Sequence, residues 1–295
     1  MRILVTGGSG FIGRHLLFQL KKEKKNEICL LLRSNHSMPE DDLYEDIHII
    51  KGDLIDLQSR EEITKFNPEL VYHLAWNGIP DYSLANSIEN LFDNIDFIDF
   101  LGKIKVKKLV VTGSCWEYGR NQGKLDESLN LIPNNPFTVA KSSILEMGKQ
   151  ISEKYGFIFI WARLFYVYGP GQSEHSLLPS LINMAKNGKK PEAKSPFAQN
   201  DFIYVKDVVN ILIAMSEEDF VSGTFNVASG KTVSVDKIVK IISEKFGYDH
   251  KLKNKYGNEN EHPNFYGDIS KLQEIYTFSP TPIENGLEKT ISLSL

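Results

Sequence analysis

Short apolar runs alternate with amphipathic stretches through the first half of the chain. A short apolar run is typical of a strand that is buried on both faces, whereas apolar positions three and four apart indicate a helix. On this basis the sequence predicts strands over residues 2–6, 28–32, 47–50, 70–74, 108–112 and 157–164. It predicts helices over residues 11–20, 87–103 and 141–155. Strands that alternate with helices predict an α/β fold, a Rossmann-type doubly wound parallel sheet.

The pattern changes after Gly169, Pro170 and Gly171, beyond which the apolar segments are shorter. The spacing there predicts helices over residues 177–186, 208–215 and 235–246, and extended segments over residues 201–205 and 223–228. We therefore expect a Rossmann domain over residues 1–168 and a smaller C-terminal α/β part over residues 169–295. The smaller part is expected to cover the carboxyl edge of the sheet, and the chain can cross between the two.

The composition is that of an ordinary globular protein. Of the 295 residues, 41% are hydrophobic and 24% are charged, and the net charge is −4. Because no basic stripe is present, nucleic acid is not expected as a partner. The two cysteines and the absence of an apolar leader indicate a reducing, cytoplasmic setting. No apolar run reaches the ~20 residues that span a bilayer, so no membrane insertion is expected, and no metal site is predicted.

A glycine-rich segment, Thr6 to Gly13, lies between the first predicted strand and the first predicted helix. Glycines at this point permit a tight turn and let backbone N–H groups approach a pyrophosphate at the helix N-terminus. A structural turn would also use glycine. Because the motif opens a βαβ unit, the sequence predicts dinucleotide binding by Gly7, Gly10, Phe11, Ile12 and Gly13.

The residues that follow the second and third strands bear on the choice of dinucleotide. An acidic residue after the second strand would accept hydrogen bonds from the adenosine ribose, whereas Arg33 and Ser34 offer a cation and a hydroxyl to a 2′-phosphate. The sequence therefore predicts NADP, with NAD as the alternative, since Arg33 could instead stack on adenine. After the third strand, Asp53 and Leu54 fit either a contact with the adenine edge or a plain turn.

Several further motifs follow in order at the ends of the predicted strands. They are His73-Leu74-Ala75, Thr112-Gly113-Ser114, Lys141 four residues after Phe137, Arg163 to Gly171 and Asp201 to Asp207. With the glycine-rich segment, they make the chain resemble the extended short-chain dehydrogenase/reductase family from residue 1 to about residue 246. These are the NAD(P)-dependent epimerases, dehydratases and reductases of nucleotide sugars. The stretches HLAWNGIPDY and TGSCWEYG are most similar to its CDP-abequose synthase-like 4-ketoreductases.

The resemblance implies a catalytic centre made of a Ser or Thr, a Tyr and a Lys. Ser114 matches the hydroxyl that hydrogen-bonds the sugar oxygen, and Lys141 matches the lysine that holds the nicotinamide ribose. The tyrosine is replaced by Phe137, and a phenyl ring neither donates nor accepts a proton. A positioned acid accelerates proton transfer ~10²–10⁴-fold, so a replacement is expected. The candidates are Tyr166 and a water molecule near Lys141.

Dehydratase chemistry is not expected. The resemblance places Cys115 and Trp116 where the 4,6-dehydratases of the family carry an Asp-Glu acid-base pair. Cys115 is interpreted either as a buried small apolar residue or as a thiol acid.

The resemblance also implies further contacts with both ligands. Contacts with the dinucleotide are expected from Leu74, Ala75, Trp76 and Phe165. Contacts with the nucleotide sugar are expected from Asn77, Tyr82, Ser114, Phe137, Gln172, His175 and Asn200. His175 lies in a polar loop and could equally be solvated, and Asn200 stands just before Asp201, where the family often has a phosphate-binding Arg.

The sequence thus predicts an NAD(P)-dependent oxidoreductase or epimerase that acts on a nucleotide-linked 4-keto deoxy sugar, most simply a 4-ketoreductase. The alternative is a catalytically silent NADP-binding sensor or scaffold, in which Phe137 has removed the chemistry. The resemblance further implies a homodimer formed through the helices predicted over residues 87–103 and 141–155.

Overall fold

The computed structural model describes residues 1–34, 42–250 and 264–293. Its strands are β1 (Arg2–Thr6), β2 (Glu27–Leu32), β3 (His48–Lys51), β4 (Leu70–His73), β5 (Lys108–Ser114), β6 (Gly123–Leu125), β7 (Ile158–Leu164), β8 (Tyr166–Tyr168), β9 (Gln199–Asn200), β10 (Phe202–Tyr204), β11 (Gly223–Val227), β12 (Val233–Ser234) and β13 (Phe265–Gly267). Its α-helices are α1 (Phe11–Leu20), α2 (Leu57–Phe66), α3 (Leu84–Lys103), α4 (Pro136–Tyr155), α5 (Leu177–Lys186), α6 (Val205–Ala214), α7 (Val235–Lys245), α8 (Ser270–Ile275) and α9 (Ile283–Ser292). Two 3-10 helices cover Asp42–Tyr44 and Cys115–Tyr118.

The chain divides into two compact units, each built from several stretches. The first unit comprises Met1–Arg120, Asn130–Arg163 and Val209–Phe225. The second comprises Asn121–Leu129, Leu164–Val208 and Asn226–Leu295. The predicted stretch 1–168 supplies most of the first unit, and the stretch 169–295 supplies most of the second.

A seven-stranded sheet with the order β11-β7-β5-β4-β1-β2-β3 forms the central layer. The neighbours β1 and β2, β1 and β4, β2 and β3, and β4 and β5 all pair in parallel. The strand order reverses beside β1, and in such sheets ligands bind where the order reverses, outside the carboxyl ends of the strands. The predicted Rossmann-type fold is confirmed.

The core of this sheet explains why its strands read as unbroken apolar runs. Leu4, Val71 and Val111 are at most 1% exposed, because helices pack over them. Ile98 of α3 and Ile144 of α4 belong to the same buried cluster. Burial on both faces removes any need for polar positions along the strands.

Two boundaries near the candidate site differ from the predictions. β5 continues to Ser114 instead of ending at residue 112. α4 begins at Pro136 instead of residue 141, so Phe137 lies in its first turn. The cause is local, because Asn135 and Thr138 form a capping box and Pro136 takes the first helical position. The first residue of a helix has no acceptor for a backbone N–H, so a Pro is tolerated there. The helix therefore begins at its cap, five residues before the predicted start at residue 141.

Two further elements, α6 and α2, also differ from the predictions. Val205 was predicted as extended but opens α6. The sequence did not predict α2, whose few apolar residues form a weak stripe. Asp56 caps this helix by accepting the backbone N–H of Ser59 at 3.0 Å.

Among its described residues, the second unit has three two-stranded sheets, β10 with β8, β12 with β9 and β13 with β6. The fully buried Asp201 carboxylate joins its segments by accepting backbone N–H groups of Ser229, Gly230 and Gly267 at 2.7, 2.9 and 3.2 Å. Burial raises the pKa of Asp201, and these hydrogen bonds oppose that effect. Within the described residues, no helix combines the length and apolar character needed to cross a membrane.

Candidate active site

The glycine-rich turn after β1 has a shape that only glycine permits. Gly7 has a φ of +74°, and a Cβ there would lie 2.8 Å from the backbone nitrogen of Ala75. A Cβ on Gly13 would lie 2.2 Å from the carbonyl oxygen of Gly7. Gly10 closes the turn by donating its N–H to that same oxygen at 3.1 Å. The turn therefore packs against the loop after β4, and any side chain would force the two apart.

The first turn of α1 is suited to an anion. Gly10 is its N-cap, so no side chain caps the helix, and no acidic residue lies in its first turn. The N–H groups of Phe11, Ile12 and Gly13 thus remain for a ligand, and the helix dipole adds partial positive charge. These residues fit the pyrophosphate of a dinucleotide.

Arg33 lies at the end of β2 and contacts a residue from the loop after β4. Its Nη1 donates a hydrogen bond to Oδ1 of Asn77. Ser34 and Asp53 are exposed beside the same sheet edge, and Leu54 is buried. Oδ1 of Asp53 accepts the backbone N–H of Leu54 at 3.2 Å, and its carbonyl accepts the backbone N–H of Asp56 at 3.2 Å. Contact of Asp53 with the adenine stays a prediction.

A chain of buried polar contacts fixes the loop after β4. Oγ1 of Thr6 lies 2.6 Å from Nδ1 of His73, and Nε2 of His73 lies 2.8 Å from Oδ1 of Asn94. Asn94 donates to the carbonyl of Asn90 at 2.7 Å, and Oδ1 of Asn90 accepts the N–H of Asn77 at 2.7 Å. Burial lowers the pKa of His73 to about 4, so the ring is neutral at pH 7. This chain positions Asn77, and through it Arg33.

Lys141 is a buried cation one helical turn after Phe137. It is 6% exposed, and its Nζ donates to the carbonyl of Thr112 at 2.9 Å. The same Nζ lies 4.4 Å from the centre of the Trp76 ring. Burial lowers the pKa of Lys141 to about 8, and the negative charge of Glu117 opposes this effect. The indole Nε1 of Trp76 is buried without a hydrogen-bond partner among the described residues.

Ser114 is held in place by a buried carboxylate that the sequence did not single out. Oε1 of Glu117 accepts the backbone N–H of Ser114 at 2.6 Å, and Oε2 accepts Nε of Arg163 at 2.9 Å. Nε1 of Trp161 donates to the same carboxylate at 3.1 Å. Oγ of Ser114 in turn accepts the N–H of Trp116 at 3.2 Å. The Ser-x-x-Glu spacing of a capping box was the available signal.

Four rings form an aromatic cluster beside these residues: Trp76, Tyr82, Trp116 and Phe137. The Phe137 ring centre lies 5.0 Å from that of Trp76, 5.0 Å from that of Tyr82 and 6.1 Å from that of Trp116. All three contacts are edge-on, the arrangement that aromatic quadrupoles favour. Phe137 therefore packs against three other rings. A tyrosine at this position would also need a hydrogen-bond partner for its buried hydroxyl.

The remaining predicted residues lie in the second unit. Phe165 is buried, and the ring of Tyr166 on β8 packs 5.7 Å from Phe202 and 6.0 Å from Phe265. Three predicted sugar contacts also belong to this unit: Gln172 donates to the carbonyl of Val167, His175 is exposed, and Asn200 is buried on β9. The first unit by itself thus brings together Ser114, Lys141, Phe137 and Tyr82. The roles of all these side chains stay predictions.

The residues of the first unit fit a dinucleotide. The uncapped helix start fits a pyrophosphate, and the unpartnered Trp76 nitrogen and the Lys141 ammonium are donors for further oxygens. A bound nicotinamide ring would supply hydride chemistry. Ser114 lies on the strand next to β4, at the same carboxyl edge, and its hydroxyl could polarise a sugar oxygen there.

Comparison with known proteins agrees with this arrangement. Residues 3–228 match the NAD dependent epimerase/dehydratase family, and the chain belongs to that family. This confirms the family resemblance drawn from the motifs, and it confirms a nicotinamide dinucleotide as the cofactor of the family. The greater similarity to 4-ketoreductases stays a prediction. Members are enzymes that act on nucleotide sugars. The family description names NAD, and the preference for NADP stays a prediction.

Individual relatives cover most of the chain. It is similar to dTDP-6-deoxy-L-talose 4-dehydrogenase (NAD(+)) of Aggregatibacter actinomycetemcomitans, at 26% identity over 86% of this chain and 92% of that protein. It is similar to UDP-glucose 4-epimerase of Halalkalibacterium halodurans, at 27% identity over 84% of this chain and 81% of that protein. Among solved structures, UDP-N-acetylglucosamine 4-epimerase of Methanobrevibacter ruminantium M1 superposes with a TM-score of 0.85 at 29% identity, covering 99% of this chain and 97% of that one.

Proposed function

We propose that this protein is an NADP-dependent 4-ketoreductase or epimerase of a nucleotide-linked 4-keto deoxy sugar. The observation that carries the proposal is the buried Lys141 ammonium beside Thr112 and Trp76, at the edge of the sheet where Ser114 ends β5. Its position matters because ligands of such sheets bind outside the carboxyl ends of the strands, where an ammonium can hold a ribose hydroxyl. The similarity to a nucleotide-sugar 4-dehydrogenase supports this substrate class.

Each part of the site has a distinct role in the proposal. The turn of Gly7, Gly10 and Gly13 and the start of α1 bind the pyrophosphate, while Leu74, Ala75, Trp76 and Phe165 line the dinucleotide. Arg33 and Ser34 bind the 2′-phosphate, and Asp53 and Leu54 contact the adenine. Lys141 holds the nicotinamide ribose and Ser114 polarises the sugar oxygen. Contacts with the nucleotide sugar come from Asn77, Tyr82, Phe137, Gln172, His175 and Asn200.

The test of this function is oxidation of NADPH by the purified protein with a panel of 4-keto nucleotide sugars that differ in base and sugar. We expect turnover of at least one of them, with formation of the 4-hydroxy sugar verified by mass spectrometry. The matched control is the Ser114→Ala variant, because it removes only the hydroxyl that is expected to polarise the oxygen. Equal turnover by both proteins would contradict the assigned role of Ser114.

Phe137 favours a second candidate, a catalytically silent NADP-binding protein. In that case the protein binds NADPH but turns over no sugar, and Phe137→Tyr creates ketoreductase activity because Ser114 and Lys141 can still serve a phenol. In the reductase case, the same substitution changes an existing activity only modestly. Turnover of both proteins on one accepted sugar separates the two functions.

The cofactor preference gives a direct prediction. Arg33→Asp is expected to weaken NADPH binding by ~1.5–3 kcal/mol, the size of a charge-assisted hydrogen bond, and to change NADH binding little. The guanidinium is already held by Asn77 beside the adenosine end of the turn. Calorimetric titration with both dinucleotides measures the effect.

The control for the change in net charge is Lys65→Asp, which alters an exposed residue of α2. It is expected to leave both affinities unchanged. Equal losses for NADPH and NADH in the Arg33 variant, or tighter binding of NADH by the wild-type protein, would contradict the preference for NADP.

A homodimer through α3 and α4 is part of the proposal. Leu84, Ile88 and Phe92 lie on one face of α3 and are 63%, 44% and 68% exposed, and Met147 of α4 is 45% exposed. Large apolar patches of this kind mark interfaces. Phe92→Glu is therefore expected to shift the protein to a monomer in light scattering, whereas Phe18→Glu on α1, 59% exposed, should not. A wild-type protein that is already monomeric would refute the dimer.

A further inference from the structure

Tyr82 is the phenol in contact with the ring at position 137. Its ring centre lies 5.0 Å from that of Phe137 and 5.4 Å from that of Trp116. The backbone of Trp116 donates to Oγ of Ser114 at 3.2 Å, so the same group of contacts includes the hydroxyl proposed to polarise the sugar oxygen. Phe137 lies in the first turn of α4, with Lys141 one turn later. The structure thus places a phenol beside Phe137 although the chain has none at that position.

The position of Tyr82 is set by the start of α3. Asp81 accepts the N–H of Ser83 on its side chain at 2.9 Å, and its carbonyl accepts Nδ2 of Asn86 at 2.7 Å. Ser83 caps α3 by accepting the N–H of Asn86 at 3.4 Å. These contacts fix the backbone on both sides of Tyr82, and the rings of Phe137 and Trp116 pack on its side chain, which gives it the fixed position that proton transfer requires.

Exposure separates Tyr82 from the other titratable side chains around Ser114. Apart from Lys141, which is assigned to the ribose, these are His73, Cys115, Glu117 and Tyr118. Each is at most 4% exposed, so very little of its side chain is open to a ligand at the edge of the sheet. Tyr82 is half-buried, with a ring packed on its neighbours and a surface left for contact. Burial raises the pKa of Tyr82, which keeps the phenol protonated at neutral pH.

We propose that Tyr82 is the proton donor of the reductase, in place of the absent phenol at position 137. This inference rests on the proposed function. Tyr82 gives its hydroxyl proton to the sugar oxygen as the electron pair of the C=O π bond moves onto that oxygen under hydride attack. The O–H bond of Tyr82 breaks and an O–H bond forms on the sugar, while the ketone is reduced and a dihydronicotinamide is oxidised. The phenolate then recovers a proton from solvent.

The test is Tyr82→Phe, which keeps the ring and its packing. We expect turnover with an accepted 4-keto nucleotide sugar to fall ~10²-fold or more, the range for loss of a general acid. Calorimetric dissociation constants for NADPH and for the corresponding nucleotide diphosphate should stay within about twofold of the wild-type values, because the lost hydroxyl faces the 4-keto sugar, which neither ligand carries. The matched control is Tyr276→Phe, since Tyr276 stacks on Phe278 in the second unit and should leave turnover unchanged.

A rescue experiment separates proton donation from packing. The double variant Tyr82→Phe with Phe137→Tyr returns a phenol to the same group of rings and should recover at least tenfold of the lost turnover. Titration of tyrosinate absorbance, as the difference between wild type and Tyr82→Phe, should shift its midpoint when NADP⁺ and the 4-hydroxy nucleotide sugar are both bound.

Three results would overturn the assignment. Turnover of Tyr82→Phe equal to that of the wild type would refute it, and a loss confined to Tyr166→Phe would assign the acid to the second unit. A tyrosinate titration whose midpoint does not change when the sugar is bound would also refute it. If the wild-type protein turns over none of the sugars, the proposed function itself is wrong. If the wild-type protein is active and Tyr82→Phe is equally active, only the assignment of Tyr82 is wrong.

Discussion

Lys141→Met is expected to reduce turnover by ~10²-fold or more and to weaken binding of NADPH. Relative to the wild type, the variant should gain more stability at neutral pH than in alkali. Function is lost because the ammonium that should hold the nicotinamide ribose is gone. The stability effect comes from burial, since Lys141 is 6% exposed. Burial lowers its pKa from 10.5 to about 8 in the folded protein.

The sign of the pH effect follows from proton counts. Between about pH 8 and 10.5 the unfolded chain holds a proton on Lys141 that the folded protein has released. Stability therefore rises with pH in that window, and the destabilising effect of the charge is fully present below it. The lowered pKa of Lys141 corresponds to a destabilisation of about 3 kcal/mol below this window, which the methionine variant does not show.

Urea unfolding of both proteins at about pH 7 and about pH 10 measures this difference. Lys149→Met is the matched control, because Lys149 lies on the same helix with its side chain 43% exposed. Its stability relative to wild type should not change with pH in this window. If Lys141→Met behaves like the control, and binds NADPH and turns over normally, Lys141 is a structural helix residue.

Glu117→Met is expected to destabilise the protein by ~3–5 kcal/mol, the cost of breaking a buried ion pair on one side. Glu117 and Arg163 are 0% and 1% exposed, and their charged atoms lie 2.9 Å apart. Without the carboxylate, Arg163 keeps a buried charge without a counter-ion. Ser114 and Trp161 lose the acceptor of their N–H groups at the same time.

The double variant Glu117→Met with Arg163→Met tests this reason. Replacing both members of a buried pair with apolar side chains of similar volume is often neutral, so the double variant should recover most of the lost stability. The free energy of unfolding of the four proteins, measured in urea, gives the coupling between the two side chains. A loss below ~1 kcal/mol in the Glu117 variant, or additive losses in the double, would exclude a strongly coupled pair.

Local signals explain which parts of the site could be predicted. The turn from Gly7 to Gly13 was predicted because strand, glycines and helix are contiguous in the sequence. The start of α4 was missed although its signals, Asn135, Pro136 and Thr138, are local, because the prediction followed apolar spacing and not the cap. Glu117 was missed because a Ser-x-x-Glu pattern does not reveal that its carboxylate is buried.

The Rossmann-type fold and the glycine-rich turn from Gly7 to Gly13 could be predicted, because the strands, the turn and the helices each follow from residues that are close together in the chain. The contacts between side chains that are distant in the chain became known only from the tertiary structure. Asn77 holds Arg33, and Tyr82 packs on Phe137, although the members of each pair are far apart in the chain. Apolar periodicity shows only on which face of its own helix or strand a residue lies. Only packing of the loops after β4 and β5 against α3 and α4 brings those faces into contact.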